Sequence, residues 1–297
     1  MGKKSSKPFK KAYLEITNVC NLNCSFCPKT KRSPRFITTE KFLHLIDEVT
    51  PFTDYVYFHL MGEPLLHPNL KEFFTICGER GLKVSLTTNG TLLKEKQDIL
   101  LSSPSLYRVN ISVHSFEANQ TGQTLEEYLQ DILQFCALAS QQTKTYCVLR
   151  LWNKDSAVLK AANQRNVDIF HQVREFFHLN FDPAEALEHK PSISLCDRVY
   201  LETAEKFSWP DIQQQESFDS VFCHGLRDQF GVLVDGTVVP CCLDSEGNID
   251  LGNIYEKPLS EILSSPRAKA LYDGFSRRTP SEELCRRCGY AQRYSIL

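Results

Sequence analysis

The sequence predicts an α/β chain: an open, partial (β/α)6 TIM-type barrel followed by a small C-terminal α+β domain made of a β-hairpin and a helix. Short strand-like runs alternate with helical ones through the first two thirds of the 297 residues. The strands carry apolar and polar residues at alternate positions, and a turn at Asp235-Gly236 inside an apolar run opens a differently patterned C-terminal part. Strands are expected near 13–17, 54–60, 82–88, 106–113, 145–152 and 198–203, with helices between them that include 69–77 and 128–138, where apolar residues recur at helical spacing. A full eight-unit barrel takes about 250 residues, more than this segment offers, so six units are expected. The boundaries follow as a basic tail 1–11, a barrel 12–205, a linker 206–222 and a cysteine-bearing domain 223–297 whose helix is expected over 259–271.

A parallel sheet covered on both faces reads as nearly continuous apolar runs, and these strands do not. One set of alternate residues, from Leu14 and Ile16 through Val56, Phe58, Ile111 and Leu149, suits packing under helices. The other set gathers Glu15, Thr17, Tyr57, His59, Ser85, Thr87, Asn89, Asn110, Ser112, His114, Arg150 and Trp152, which alternation places together inside the barrel. A polar interior implies a ligand-filled one.

Composition narrows the classes. A net charge of -2 gives no global field to recruit nucleic acid, although acidic residues dominate 175–219 and basic ones 267–293. No apolar run approaches the roughly 20 residues that span a bilayer, and the N-terminal lysines precede no signal-type apolar stretch, so a soluble cytoplasmic protein is expected. The start Met1-Gly2-Lys3-Lys4-Ser5-Ser6 fits the loose myristoylation pattern but reads better as a solvated basic tail. Twelve cysteines in such a chain argue for metal rather than disulfides.

Cys20, Cys24 and Cys27 form a C-x3-C-x2-C group right after the first strand. Closed zinc sites and saturated 4Fe-4S clusters both take four ligands, so three local thiolates on a cubane leave one iron open. A zinc knuckle borrowing His44 or His59 is the alternative. The spacing and its flanks resemble the radical SAM superfamily, with Phe26 at that family's aromatic position. The resemblance implies that S-adenosylmethionine (SAM) chelates the open iron and that its reductive cleavage releases a 5'-deoxyadenosyl radical. Met61-Gly62-Glu63-Pro64 resembles the Gly-Gly-Glu-Pro motif that contacts the methionyl amino group; the first glycine is Met61 here, so only Gly62, Glu63 and Pro64 are carried over. By the same resemblance Thr87, Asn89, Ser112 and His114 line the SAM site, and Arg150 holds the SAM carboxylate. His59, His114 and Trp152 are the candidate catalytic residues, although either histidine taken alone reads better as a hydrogen-bond donor of the barrel wall.

From Cys223 the chain continues with the Asp-Gly hairpin, Pro240-Cys241-Cys242, Leu251 to Ile254 as Leu-Gly-Asn-Ile, and the pair Cys285 and Cys288. This order resembles the SPASM and twitch auxiliary-cluster domains. Cys223, Cys241, Cys285 and Cys288 make four ligands, enough for one further 4Fe-4S cluster, which favours the one-cluster twitch layout. Cys241 is preferred to Cys242 on the family pattern, and a zinc site built from the same four is the alternative. Cys77, Cys136, Cys147 and Cys196 read as buried small hydrophobes.

The implied activity is hydrogen abstraction from a substrate inside the barrel. With about a dozen residues before the first strand, a small molecule is expected, and the layout looks like that of enzymes acting on aminoglycoside precursors and of queuine lyases. Queuine cleavage is the specific expectation, a peptide-modifying maturase or dehydrogenase the alternative enzyme, and a zinc or iron-sulfur binding module the alternative class. A flavodoxin or ferredoxin is the expected electron donor, with Arg267, Lys269, Arg277, Arg278, Arg286, Arg287 and Arg293 as a basic docking segment.

Overall fold

The computed structural model describes residues 7–118, 122–154 and 164–294. The first six residues of the basic tail, including the myristoylation pattern, lie outside the described residues. In chain order the elements are β1 (Lys11–Leu14), α1 (Thr39–Val49), β2 (Tyr55–Phe58), α2 (Leu70–Glu79), β3 (Lys83–Thr88), α3 (Leu93–Leu101), β4 (Leu106–Ser112), α4 (Leu125–Gln142) and β5 (Tyr146–Lys154). They continue with α5 (Gln164–Phe176), α6 (Pro183–His189), β6 (Ser192–Cys196), β7 (Val199–Glu205), β8 (Gln229–Val232), β9 (Val238–Val239), α7 (Leu259–Leu263), α8 (Pro266–Ser276) and α9 (Glu283–Arg286).

The chain divides into two compact units, one of residues 1–20, 28–84 and 207–297, the other of 21–27 and 85–206. These limits differ from the sequence boundaries: the C-terminal segment groups with the first strands, and the boundary between the units cuts β3.

In the first unit the sheet order is β2-β1-β8-β9, with β1 parallel to both β2 and β8 and β9 antiparallel to β8. The cysteine-bearing segment therefore donates a strand directly to β1. The hairpin between β8 and β9 turns at Gly236, whose φ of +97° suits glycine and whose added Cβ would lie 2.4 Å from the Tyr255 ring. Helices α1 and α2 cover the Val56 and Phe58 face through Phe42, Phe73 and Phe74; Phe42 and Phe73 stack at 3.9 Å. The C-terminal helix expected over 259–271 is two helices. Pro266 lacks the N–H that continuation needs, and Ser265 caps a new start by accepting from the Ala268 N–H.

In the second unit the order is β6-β7-β5-β4-β3. β4, β5 and β7 are parallel, whereas β6, which the sequence reading missed, pairs antiparallel with β7. α4 starts at a reciprocal capping box of Thr124 and Glu127. The face formed by Val109, Ile111, Cys147, Leu149, Val199 and Leu201 is wholly buried, and Cys136 of α4 reaches Cys147. Arg108, Ser112, Arg150, Tyr200 and Glu202 alternate onto the other face and stay partly open. The two-faced strand pattern expected from the sequence is present in both units. Cys77, Cys136 and Cys147 are buried as expected, but Cys196 is only half-buried, because it sits on the edge strand β6 near the Ser140 hydroxyl.

Candidate functional site

The cysteine loop starts where β1 has run out. Cys20 is exposed, Cys24 buried and Cys27 between the two, with the Cys27 N–H turned back to the Cys24 carbonyl at 3.4 Å. Residues outside the loop hold it. Glu117 accepts from the Ser25 N–H at 3.1 Å and also from its hydroxyl, Asn89 donates to Asn21 at 2.8 Å, and Asn21 donates to Thr91 at 2.9 Å. The Phe26 ring lies 4.6 Å from that of His114, whose Nδ1 donates to the Arg150 carbonyl at 3.0 Å. Burial lowers the His114 pKa from its ordinary value, so the ring is held neutral.

The Gly-Glu-Pro motif is fastened to the root of the same loop. The Glu63 N–H donates to the Val19 carbonyl at 2.8 Å. Gly62 has φ +77°, and a Cβ there would stand 2.4 Å from the Thr17 carbonyl oxygen, so only glycine allows this approach. Leu60, just before the motif, holds φ +147°, a strained value for a residue with a Cβ. Met61, in place of the family's first glycine, is buried. Glu63 accepts from the Leu65 N–H at 3.0 Å and starts the short helical turn Pro64–Leu66.

Several polar residues expected to meet a ligand are engaged within the protein. Glu15, buried on β1, takes a bidentate pair of hydrogen bonds from Arg32 at 2.6 and 2.8 Å and a third from the Val234 N–H at 3.0 Å. Arg32 also donates to the Ser245 carbonyl at 2.9 Å, and the Lys31 N–H to Glu246 at 3.2 Å, so the stretch leaving the cysteine loop is clasped to the segment after Cys242. Thr17 donates to the Arg35 carbonyl. His44, one of the possible zinc ligands, donates its Nε2–H to the Ile254 carbonyl at 3.0 Å. His59 has its ring 5.9 Å from Tyr13, Trp152 lies 4.8 Å under the Arg150 guanidinium, and Thr87 and Ser112 are half-buried on their strands.

In the C-terminal segment, Cys241 interacts electrostatically with Cys242, Cys223, Cys288 and Cys285, so thiols from three separate stretches converge. Burial raises all of their pKa values, that of Cys288 to about 11. Backbone N–H groups of Gly225 and His224 point at Cys223, and those of Ala291 and Tyr290 at Cys288, the donors that tune a cluster's sulfurs. Tyr13 donates its O–H to Cys242, giving that thiol a partner that Cys241 lacks among its own leading interactions. Among the described residues no three His, Cys, Asp or Glu stand as a ready single-ion site. A cubane asks for something different, one thiolate on each iron, and the donor set of soft, convergent, backbone-supported thiols fits it.

The basic segment is partly neutralised: Arg267 pairs bidentately with Glu282, Arg287 with Glu283 and Arg286 with Asp219. Arg277 and Arg278 remain exposed. Sequence reasoning missed Arg32, Glu117, Arg108 and Glu202. Extending the polar alternation backward along β4 finds Arg108; the others needed tertiary contacts or strand register. Among the described residues no helix is long and apolar enough to cross a membrane.

Comparisons with known proteins agree with this geometry. Residues 14–150 match the radical SAM superfamily and residues 223–289 the SPASM iron-sulfur cluster-binding domain. GTP 3',8-cyclase of Aquifex aeolicus is 25% identical over 284 residues, covering 86% of this chain and 88% of its own. BtrN in complex with AdoMet and 2-DOIA superposes with a TM-score of 0.55 at 17% identity, covering 96% of this chain and 94% of that one. Streptococcus suis SuiB bound to precursor peptide SuiA gives a TM-score of 0.61 at 17% identity, covering 96% of this chain and 71% of SuiB. The radical SAM domain binds a 4Fe-4S cluster and SAM, and the SPASM domain binds auxiliary iron-sulfur clusters. With a partial TIM-type barrel, the cysteine loop and the C-terminal cysteine domain all in place, the chain belongs to the radical SAM superfamily as an enzyme carrying a SPASM-type domain.

Proposed function

We propose that this enzyme abstracts a hydrogen atom from a small-molecule substrate, specifically a queuine-type 7-deazapurine that it cleaves as a lyase. Cys20, Cys24 and Cys27 hold the SAM-binding cluster, and Cys223, Cys241, Cys285 and Cys288 hold one auxiliary cluster. When bound, the first cluster with SAM supplies a one-electron route to a 5'-deoxyadenosyl radical. Gly62 lets the motif backbone close on the loop root, Asn89 bonds the cysteine loop through Asn21, and Arg150 would hold the SAM carboxylate. Glu117 and Phe26 with His114 keep the loop in shape. A flavodoxin or ferredoxin supplies the electron.

The observation that carries the reading is the direct tie from Glu63 to Val19, which joins the Gly-Glu-Pro motif to the residue before Cys20. A small substrate is supported by GTP 3',8-cyclase, a relative named for a nucleotide, which this chain matches over 88% of its length. A peptide substrate is the second reading, favoured by the likeness to SuiB bound to its precursor peptide. Incubating reconstituted enzyme with SAM, reductant and queuine tests the specific reading. Queuine should be consumed with release of a smaller 7-deazapurine, in step with 5'-deoxyadenosine; 5'-deoxyadenosine without queuine loss contradicts it.

A further inference from the structure

Among the described residues, Asn110 Oδ1 and Arg108 Nε on the open face of the second unit are buried polar atoms without a hydrogen-bond partner. Asn110, 1% exposed on β4, donates its Nδ2 to the Leu86 carbonyl at 3.2 Å and to Ser85 at 3.3 Å. Those two bonds fix the amide orientation, and the buried Oδ1 has no partner among the described residues. Two residues earlier on the same face, Arg108 donates from one terminal nitrogen to Glu202 at 3.2 Å, while its buried Nε–H also has no partner among the described residues. A buried donor or acceptor left without a partner is destabilising, so a lone acceptor and a lone donor two residues apart on one strand face are a place where a ligand gains.

The surroundings define the ligand further. Strand register sets Tyr146 beside Arg108, Tyr200 beside Val148, and Glu202 beside Arg150. The Tyr146 and Tyr200 rings lie 6.4 Å apart with nearly parallel planes, at an interplanar angle of 22°, and strand register puts Tyr146 next to Arg108. Glu202 orients Arg108 and approaches the Arg150 Nε at 3.9 Å. Flat aromatic surface, one acceptor and one guanidinium donor match the edge of a cyclic amide, whose N–H and C=O are neighbours in a planar ring.

We propose that Arg108 and Asn110, with Glu202 as the positioning residue for Arg108, form a substrate subsite that reads a lactam edge: the ligand N–H donates to Asn110 Oδ1 and its carbonyl accepts from Arg108 Nε. The proposal rests on the small-molecule reading above and narrows it to planar heterocycles with an unblocked cyclic amide. It gives these residues a role in specificity that none of the SAM-facing positions supplies.

Isothermal titration of the reconstituted holoenzyme with SAM tests this, using queuine, hypoxanthine, 1-methylhypoxanthine, adenine and uracil as probes. Hypoxanthine should bind at least about tenfold more tightly than 1-methylhypoxanthine, whose N–H is blocked, and than adenine, whose edge is reversed. Asn110→Leu and Arg108→Met should each weaken hypoxanthine by about tenfold with iron content and SAM cleavage unchanged. The ligand series keeps the test valid if a variant fails to fold. Equal binding of blocked and unblocked rings, no binding of any lactam, or unchanged affinity in both variants overturns the subsite. If queuine fails to bind while hypoxanthine or uracil binds in this pattern, the subsite stands and the queuine assignment falls. If queuine is turned over with KM unchanged in Asn110→Leu, the assignment stands and the subsite falls.

Discussion

Cys20, Cys24 and Cys27 come from one eight-residue loop and range from exposed to buried, whereas Cys223, Cys241, Cys285 and Cys288 come from three distant stretches and converge only through folding. A local triad takes its spacing from the sequence and its shape from outside anchors. A distributed set takes both from the tertiary fold, and its thiols are held by burial and by backbone N–H groups. The first arrangement suits a site that leaves one iron open to a small molecule; the second suits a site closed by protein. The two should therefore fail differently when contacts around them are removed.

The largest effect is expected at the loop's anchor. Gly62→Ala forces a Cβ to within 2.4 Å of the Thr17 carbonyl oxygen at a φ of +77°, so the motif must move off the loop root. SAM cleavage should fall by about a hundredfold or more, while absorbance and iron assigned to the C-terminal cluster persist. Near-normal SAM cleavage would show that the close approach is dispensable.

Next comes the clasp between the stretch leaving the cysteine loop and the segment after Cys242. Arg32→Met strands the fully buried Glu15 carboxylate and should cost about 3–5 kcal/mol in denaturant unfolding. The double variant Glu15→Gln/Arg32→Met should cost clearly less than the sum of the two single changes, because the stranded charge is gone. Additive losses would mean that the two side chains act independently.

A smaller effect is expected from pH. His67 donates Nε2–H to the Ile37 carbonyl at 3.0 Å and accepts the Asn69 N–H on Nδ1 at 3.1 Å, so its neutral form is built into the chain following the motif. Burial, opposed by the bond to Ile37, lowers its pKa from the ordinary 6.5. The unfolded chain then binds the proton more readily, so this stabilisation is complete above about pH 6.5 and is lost as pH falls through the depressed folded value. Thermal midpoints should drop more between pH 7 and 5 in the wild type than in His67→Gln; parallel curves would remove His67 as the cause.

The same contrast explains what was legible in the sequence. The triad, the Gly-Glu-Pro motif and the two-faced strands could be read directly because each is local or periodic. The helix break at Ser265-Pro266 was readable in principle, since a proline cannot sit inside a helix without loss of a hydrogen bond. β6 was not readable, because a short edge strand has no periodicity to distinguish it. Nor was the role of Glu15. Alternation placed it correctly on the inner face, but only tertiary contact shows Arg32 and Val234 filling its lone pairs. An inward polar residue is therefore a ligand candidate only after its internal partners are counted, which separates Glu15 from Asn110.

The central claim is that the two cysteine sets carry separate clusters of different openness. Iron and 5'-deoxyadenosine measured side by side on anaerobically reconstituted wild type, Cys285→Ala and the triple alanine variant of Cys20, Cys24 and Cys27 test it most directly. The wild type should hold about eight irons per chain. Cys285→Ala should lose about half of them and still cleave SAM with dithionite, and the triple variant should also lose about half and form no 5'-deoxyadenosine. Stoichiometric zinc in place of iron, or undiminished cleavage in the triple variant, would contradict the account.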